Sequence, residues 1–175
     1  YTWDQVYKRT VKFASALNKL GIKKGDTVSF LAFNTPEIFE GHYSVPMTGA
    51  VLNTINIRLD AKTIAYILDH SEAKVLVVDR QLHIEVKKAL STLKRKIVII
   101  DIDDKFADQS KCEKFGELEY ESFLNSGDEN YKWEMPKDEW QAISLSYTSG
   151  TTGNPKGVVY HCLLYTSPSP RDPTK

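Results

Sequence analysis

One run of eleven residues, 147–157, carries most of the chemistry that this sequence could perform. It reads Tyr-Thr-Ser-Gly-Thr-Thr-Gly-Asn-Pro-Lys-Gly, and three of the nine glycines of the chain lie in its last eight positions. Glycine lets backbone N–H groups approach an anion closely, hydroxyl groups donate hydrogen bonds to phosphate oxygens, and a lysine supplies positive charge. The run therefore predicts a loop that binds a polyphosphate.

Two common phosphate-binding patterns do not fit this run. The P-loop pattern GxxxxGK[ST] requires glycine at the position of Pro155 and serine or threonine at the position of Gly157. The dinucleotide pattern GxGxxG fails because Thr152 occupies its second glycine position. An ordinary surface turn rich in serine, threonine and glycine is the alternative, and the order of the residues favours the phosphate loop.

The order of the residues in 147–157 resembles that of the signature loop of the adenylate-forming superfamily. This superfamily includes acyl-CoA synthetases, luciferases and peptide-synthetase adenylation domains. The resemblance covers residues 1–161, and the short- and medium-chain fatty acyl-CoA synthetases are the most similar group. Its upstream parts are the opening helix and turn at 1–25, the strand and Asn-Thr-Pro-Glu turn at 30–37, and the stretch 49–79. Residues 53–60 and 158–161 also resemble ligases for methylthiopropionate-like acids.

The resemblance implies an enzyme that joins a carboxylic (fatty) acid to ATP with Mg²⁺ and then passes the acyl group to the thiol of coenzyme A. It implies that Thr148 is a magnesium ligand and that Lys156 is a catalytic residue. The positions implied to bind the phosphates are Thr148, Ser149, Gly150, Thr151, Thr152, Gly153, Asn154, Pro155 and Lys156. The chain then corresponds to part of the large N-terminal domain of such an enzyme.

The elements that must position this loop alternate between helices and strands. Short apolar runs predict strands, which lie at 28–33, 51–52, 74–79, 97–101 and 141–148. Helical spacing of apolar residues predicts helices at 2–20, from Pro36 to just before Pro46, at 60–70 and at 81–93. Strands that are apolar on both faces and separated by helices indicate an α/β fold, with a mostly parallel sheet flanked by helices.

The segment 103–138 departs from this alternation because acidic residues dominate it. Within it only 120–124 predicts a short helix. This composition favours a solvated excursion between two parts of one domain over a binding surface.

Composition limits the class of protein. Lys plus Arg and Asp plus Glu each number 23, so the net charge is zero and gives no support to nucleic-acid binding. Two cysteines, Cys112 and Cys162, are too few for a disulfide framework and indicate a reducing compartment. No run is long and apolar enough to span a membrane, and the first ten residues lack the order of a signal peptide, so we expect a cytoplasmic protein.

Four other residues could do chemistry but have simpler explanations. His42 and His70 have no ligand spacing between them and are interpreted as packing or capping residues. Arg58 could face a charged ligand, although a solvated or capping role is the simpler one. Cys112 has no partner nearby in the sequence and is not expected to be a nucleophile.

The domain organisation follows from where the resemblance ends. Residues 1–161 are interpreted as a partial N-terminal AMP-binding domain, and residues 162–175, with three prolines, as a non-native or disordered tail. The family's adenine-binding and hinge elements are absent, so activity is expected of a longer parent and not of this chain alone. The alternatives are a peptide-synthetase or luciferase-like adenylation domain, or a noncatalytic fragment that binds nucleotide phosphates. The sequence does not indicate an oligomeric state.

Overall fold

The computed structural model describes residues 1–148 and 153–161. In these residues seven strands form one sheet with the order β5-β4-β3-β1-β2-β6-β7. The strands are β1 (Thr27–Leu31), β2 (Val51–Thr54), β3 (Val75–Asp79), β4 (Val98–Ile102), β5 (Leu118–Glu119), β6 (Ala142–Thr148) and β7 (Lys156–His161). The helices are α1 (Trp3–Lys19), α2 (Pro36–Met47), α3 (Ala61–His70), α4 (His83–Thr92) and α5 (Tyr120–Asn125). Neighbouring strands are parallel except β6 and β7, which confirms the predicted α/β fold.

Helices cover both faces of the central strands. Val28 and Phe30 of β1 pack in one apolar cluster with α1, α2 and α5, whereas Leu31 of the same strand packs in a second cluster with α3 and α4. Successive side chains of a strand point to opposite faces, so one strand supplies both clusters. All residues of β1 and β3 are buried, as is typical of parallel sheets, which are covered on both sides.

Local signals set the helix ends as the sequence predicts. Thr2 caps α1 in a reciprocal arrangement with Gln5, and Gly21 follows the helix with φ of +94°, a conformation that favours glycine. The Asp60 side chain accepts a hydrogen bond of 2.8 Å from the Thr63 backbone N–H at the start of α3. These residues fix both ends of α1 and the start of α3.

Of the two outcomes predicted for α2 just before Pro46, an end or a kink, the end was wrong, because the helix runs through the proline to Met47. Proline removes one backbone donor, but here it lies in the last turn. The backbone N–H groups of Thr48 and Gly49 donate to the carbonyls of Val45 and Pro46, at 3.0 and 2.8 Å. These tighter three-residue bonds close the helix one residue after the proline.

The acidic segment is not only a solvated excursion. It contains the short strand β5 as well as the predicted helix, and Tyr120, Phe123 and Leu124 of α5 are buried. The Tyr120 ring stacks on Phe13 of α1 with their centroids 4.7 Å apart. A few apolar residues at helical spacing thus bring part of a predominantly polar segment into the core, although its overall composition indicates a solvated segment.

A buried charged network joins α1, α2 and α5. The Glu40 side chain is fully buried, and Arg9 donates to it and also to Glu121. The Tyr120 hydroxyl donates to Glu40 Oε2 at 2.8 Å. Burial raises the pKa of Glu40, and the hydrogen bonds from Arg9 and Tyr120 oppose that rise. The network therefore offsets the cost of burying a carboxylate between three helices.

We predict that Tyr120→Phe lowers the free energy of unfolding by roughly 1–3 kcal/mol, because a buried acceptor on Glu40 loses a donor while the stacked ring is kept. The matched control is Tyr7→Phe, since the Tyr7 ring is exposed and should change stability by less than about 0.5 kcal/mol. Urea denaturation of both variants checks this expectation. Equal midpoints for the two variants would contradict it.

Candidate functional site

The candidate site lies where two parallel strands end side by side. Thr54 closes β2 and Thr148 closes β6, and the parallel register pairs Thr54 with Ser146. The turn after β2 and the run after β6 therefore leave the sheet at the same edge. Ligands of open α/β sheets bind outside the carboxyl ends of the strands, so this edge is where the predicted phosphate loop should be.

The two ends of the run 147–157 lie on neighbouring strands of a β-hairpin. β6 pairs antiparallel with β7, and the last pair of the ladder joins Thr148 to Lys156. The Thr148 hydroxyl donates to the Lys156 carbonyl at 3.5 Å. The prediction ended β6 at 148 but did not assign β7, because Lys156 and Gly157 were read as part of the loop. The two residues predicted to meet phosphate and metal thus stand opposite each other.

The side chains of both residues are accessible. Thr148 and Lys156 are exposed, and the Lys156 ammonium has no ion-pair or hydrogen-bond partner among residues 1–148 and 153–161. A lysine that is not engaged in an internal ion pair can approach an anionic ligand without first breaking a contact. The structure therefore brings together a hydroxyl and a cation with the chemistry that a phosphate requires.

The other predicted loop positions divide into two groups. Gly153 and Asn154 are exposed, and Pro155 is half-buried. A Cβ built on Gly153 would have no atom within 4 Å, so open space surrounds this position. Ser149, Gly150, Thr151 and Thr152 lie outside the described residues, and their predicted phosphate contacts stay predictions.

A small cavity of about 220 Å³ adjoins the base of the hairpin. Its lining comprises Thr54, Ile55, Asn56, Leu59, Ile67, Tyr147, Thr148 and Pro155. Whole-ligand pockets commonly measure about 300–1,000 Å³, so this cavity suits one small group and not an entire nucleotide. Thr54 and Asn56 line it, and sequence reasoning missed both because only the sheet topology places the turn after β2 beside β6.

A larger cavity of about 740 Å³ lies on the other side of Thr54, between α2 and the sheet. Apolar and aromatic residues dominate its wall, including Tyr43, Met47 and Trp133. The acidic segment contributes residues 133–136 to this wall. The segment read as a solvated excursion therefore shapes a cavity next to the candidate site.

The base of the hairpin also involves two residues to which the sequence analysis gave no role in phosphate binding. The His70 Nδ1 and the Tyr147 hydroxyl share a hydrogen bond of 2.8 Å. Burial raises the pKa of Tyr147, so this hydroxyl stays protonated at neutral pH. Tyr147 lies in the recognised run and could have been noticed, whereas no local signal links His70 to a residue 77 positions away.

Gly157, which ends the run, sits under this tyrosine. It pairs with Tyr147 across the hairpin. A Cβ added to Gly157 would come within 3.1 Å of Leu145 Cδ1 and 3.5 Å of Tyr147 Cζ. The glycine therefore allows two side chains of β6 to pack closely over β7.

The remaining candidates have local roles. The His42 Nδ1 hydrogen-bonds the Ile38 carbonyl of its own helix at 2.7 Å. Arg58 is exposed, and its side chain has no partner among residues 1–148 and 153–161. Burial and nearby carboxylates raise the pKa of the Cys112 thiol, and its lack of a nucleophilic role stays a prediction.

Two kinds of feature are absent from the described parts of the chain. No group of three or more His, Cys, Asp or Glu in residues 1–148 and 153–161 could hold a metal ion. In the same residues no helix is long and apolar enough to cross a membrane.

Comparison with known proteins identifies a matching family and several relatives. The model of the AMP-binding enzyme family matches residues 1–163. The chain is 47% identical over 171 residues to the peroxisomal acetate/butyrate–CoA ligase AAE7 of Arabidopsis thaliana, covering 92% of this chain and 30% of that protein. It is also 47% identical over 174 residues to the peroxisomal trans-cinnamate:CoA ligase of Petunia hybrida, covering 91% and 30%. The chain thus spans about 30% of the length of these curated relatives.

Solved structures show the same fold at lower identity. The anthranilate CoA ligase AuaEII, in complex with anthranoyl-AMP, superposes with a TM-score of 0.81 at 24% identity, over 91% of this chain and 29% of that one. The luciferase-like enzyme of the mealworm Zophobas morio superposes with a TM-score of 0.76 at 22% identity, over 92% and 36%. With the hairpin at the carboxyl edge of a mostly parallel sheet and the family model matching residues 1–163, the chain belongs to the AMP-binding enzyme family.

Proposed function

We propose that this chain forms the nucleotide-phosphate-binding part of an acyl-CoA ligase, which activates a carboxylic acid with ATP and transfers the acyl group to coenzyme A. The observation that carries this proposal is the hairpin that sets Thr148 opposite an exposed Lys156 at the carboxyl edge of the sheet. Identities of 47% to two CoA ligases support the reaction class.

The first step of such a reaction brings two anions together. A carboxylate oxygen attacks the α-phosphorus of ATP, the bond to the bridging oxygen breaks, and pyrophosphate leaves with the electron pair. The acyl-adenylate then loses AMP when the thiol sulfur of coenzyme A attacks the acyl carbon. Fixed positive charge and oriented donors around the leaving phosphates lower the barrier to the first step.

Three groups of this chain would meet that requirement. The Lys156 ammonium would offset charge on the β- and γ-phosphates, and backbone N–H groups of the glycine-rich run between Thr148 and Lys156 would donate to their oxygens. The Thr148 hydroxyl would orient the same phosphates from the opposite strand. By offsetting the negative charge that develops on the departing pyrophosphate, these contacts would make it a better leaving group.

Magnesium would supply further charge neutralisation when it is bound with the nucleotide. Thr148 fits as one oxygen ligand because it is an exposed hydroxyl residue at the end of β6. In residues 1–148 and 153–161 no group of three or more His, Cys, Asp or Glu could hold a metal ion, so the phosphates, water and other parts of the full-length protein would supply the remaining ligands.

The acid and the compartment are part of the same proposal. The relatives are named for acetate, butyrate, 2-methylpropanoate and trans-cinnamate, and we propose a monocarboxylic acid of this size range as the substrate. Two of these relatives are named peroxisomal, so the cytoplasmic location stays a prediction. Peptide-synthetase and luciferase-like activities, and a noncatalytic phosphate binder, are the alternatives that an assay separates.

We expect the full-length protein to release pyrophosphate when ATP, Mg²⁺ and one acid of a panel are present, and to form a thioester only when coenzyme A is added. The panel is acetate, butyrate, 2-methylpropanoate, trans-cinnamate and 3-methylthiopropionate, and pyrophosphate release and thioester absorbance are measured. Adenylation of amino acids alone would instead support the peptide-synthetase alternative. ATP binding without turnover of any acid would support the noncatalytic one.

Lys156→Ala in the full-length protein should raise the KM for ATP about tenfold, because a charge-assisted contact to phosphate is lost while the exposed side chain leaves the fold intact. Lys156→Arg, which keeps the charge, should recover most of that loss. Lys132→Ala is the matched control, since this lysine is also exposed and lies in the acidic segment. An unchanged rate of pyrophosphate release at limiting ATP in Lys156→Ala would remove Lys156 from the site.

A further inference from the structure

His70 lies at the end of α3 and reaches across to the strand that carries the hairpin. Its Nδ1 lies 2.8 Å from the hydroxyl of Tyr147, the residue directly before Thr148. The imidazole ring also stacks on Tyr66, one helical turn earlier, with centroids 5.3 Å apart and an interplanar angle of 26°. Residues four apart share one face of a helix, so Tyr66 fixes the ring of His70 before it meets Tyr147.

The Tyr147 side chain connects His70 to both strands of the hairpin. Its ring meets His70 edge-on, with centroids 5.8 Å apart and an interplanar angle of 83°. On its other side the ring packs over Gly157, where an added Cβ would come within 3.5 Å of Tyr147 Cζ. One side chain thus contacts α3, belongs to β6 and covers β7.

The hairpin needs such an anchor because it forms the edge of the sheet. β7 pairs with β6 alone among the described strands, and residues 156–159 are exposed. The parallel pairing of β6 with β2 ends at Ser146, so Tyr147, Thr148 and the facing end of β7 lie beyond that support. The relative positions of Thr148 and Lys156 therefore depend on what fixes the base of the hairpin.

A capping role does not explain His70. A histidine in the last turn of a helix commonly binds the terminal carbonyls, and His42 shows the related local mode by bonding the Ile38 carbonyl of its own helix at 2.7 Å. The His70 Nδ1 instead bonds a side chain from a strand 77 residues later. Its hydrogen bond spans two elements, which a local capping role does not require.

We propose that His70 is a positioning residue for phosphate binding: by holding the Tyr147 hydroxyl, it orients the β6–β7 hairpin so that Thr148 and Lys156 face the same phosphate group. His70 contacts no phosphate itself and acts only through Tyr147. The expected effect on ATP binding rests on the proposed function. The positioning of the hairpin by His70 does not depend on that function.

The test uses His70→Ala, His70→Asn, Tyr147→Phe and the double variant His70→Ala/Tyr147→Phe in the full-length protein. Asparagine places a polar atom near the position of Nδ1, and phenylalanine keeps the ring over Gly157 without the hydroxyl. His42→Ala is the control because His42 is an exposed helical histidine bonded only to its own helix. Steady-state kinetics with varied ATP and varied acid measure each KM and kcat.

His70→Ala and Tyr147→Phe should each raise the KM for ATP about two- to tenfold, the range for loss of one hydrogen bond. The KM for the acid should not change, and the double variant should be no worse than either single one. His70→Asn should recover most of the loss, and His42→Ala should behave like the unsubstituted protein. Additive effects, or equal changes in the KM values for ATP and acid, would overturn the positioning role.

Hydrogen–deuterium exchange separates a failure of this proposal from a failure of the proposed function, because it requires no activity. Peptides covering 142–148 and 156–161 should exchange faster in His70→Ala than in His42→Ala, even if no acid is activated. Unchanged exchange in His70→Ala would overturn the proposal even if the unsubstituted protein is an active ligase.

Discussion

The pairing of β6 with β2 is the constraint on which the candidate site depends. β2 lies next to the central strand β1, and β6 adds to it in parallel, so both strands end at one edge of the sheet. The buried Asn53 of β2 donates a hydrogen bond to Ser29 of β1 at 3.0 Å, which links this part of the sheet to its centre. If β6 slipped by one residue, Thr148 and Tyr147 would exchange faces, and the hairpin would lose its contact with α3.

The candidate site carries the positive charge of Lys156, although the net charge of the chain is zero. Arg9 and Arg80 are both half-buried and used in ion pairs, Arg9 with Glu40 and Glu121 and Arg80 with Asp101 and Asp103. Arg95 donates to the backbone carbonyls of Leu68 and Ala73. Lys156 has no such partner among residues 1–148 and 153–161. The net charge of zero therefore argues against a broad anionic partner, whereas one exposed lysine in a hairpin suffices for a local phosphate contact.

Much of the fold could be predicted because its signals are local. Caps such as Thr2 and Asp60 and the apolar runs of β1, β3 and β4 each depend on neighbours within a few residues, and the structure confirms them. The errors came from tertiary context. Pro46 was tolerated in the last turn of α2, and Tyr120 entered the core from a segment whose composition indicates solvent.

The candidate site, like the fold, could be predicted only in part from the sequence. The order of residues in the run 147–157 predicts a phosphate loop, since glycines, hydroxyls and a lysine act over short distances along the chain. The contributions of Thr54, Asn56 and His70 could not be predicted, because they reach the loop only through strand order and register. Sequence thus indicates the chemistry of the loop, and topology supplies its surroundings.

Hydrogen–deuterium exchange of the full-length protein with ATP and Mg²⁺, compared with AMP and Mg²⁺, tests the central claim most directly. The two nucleotides share the adenosine and the α-phosphate, so a difference between them reports on the β- and γ-phosphates. If the hairpin binds those phosphates, peptides covering 142–161 will be protected by ATP and much less by AMP. Equal protection by both nucleotides, or none with ATP, would contradict the assignment of the hairpin as the polyphosphate site.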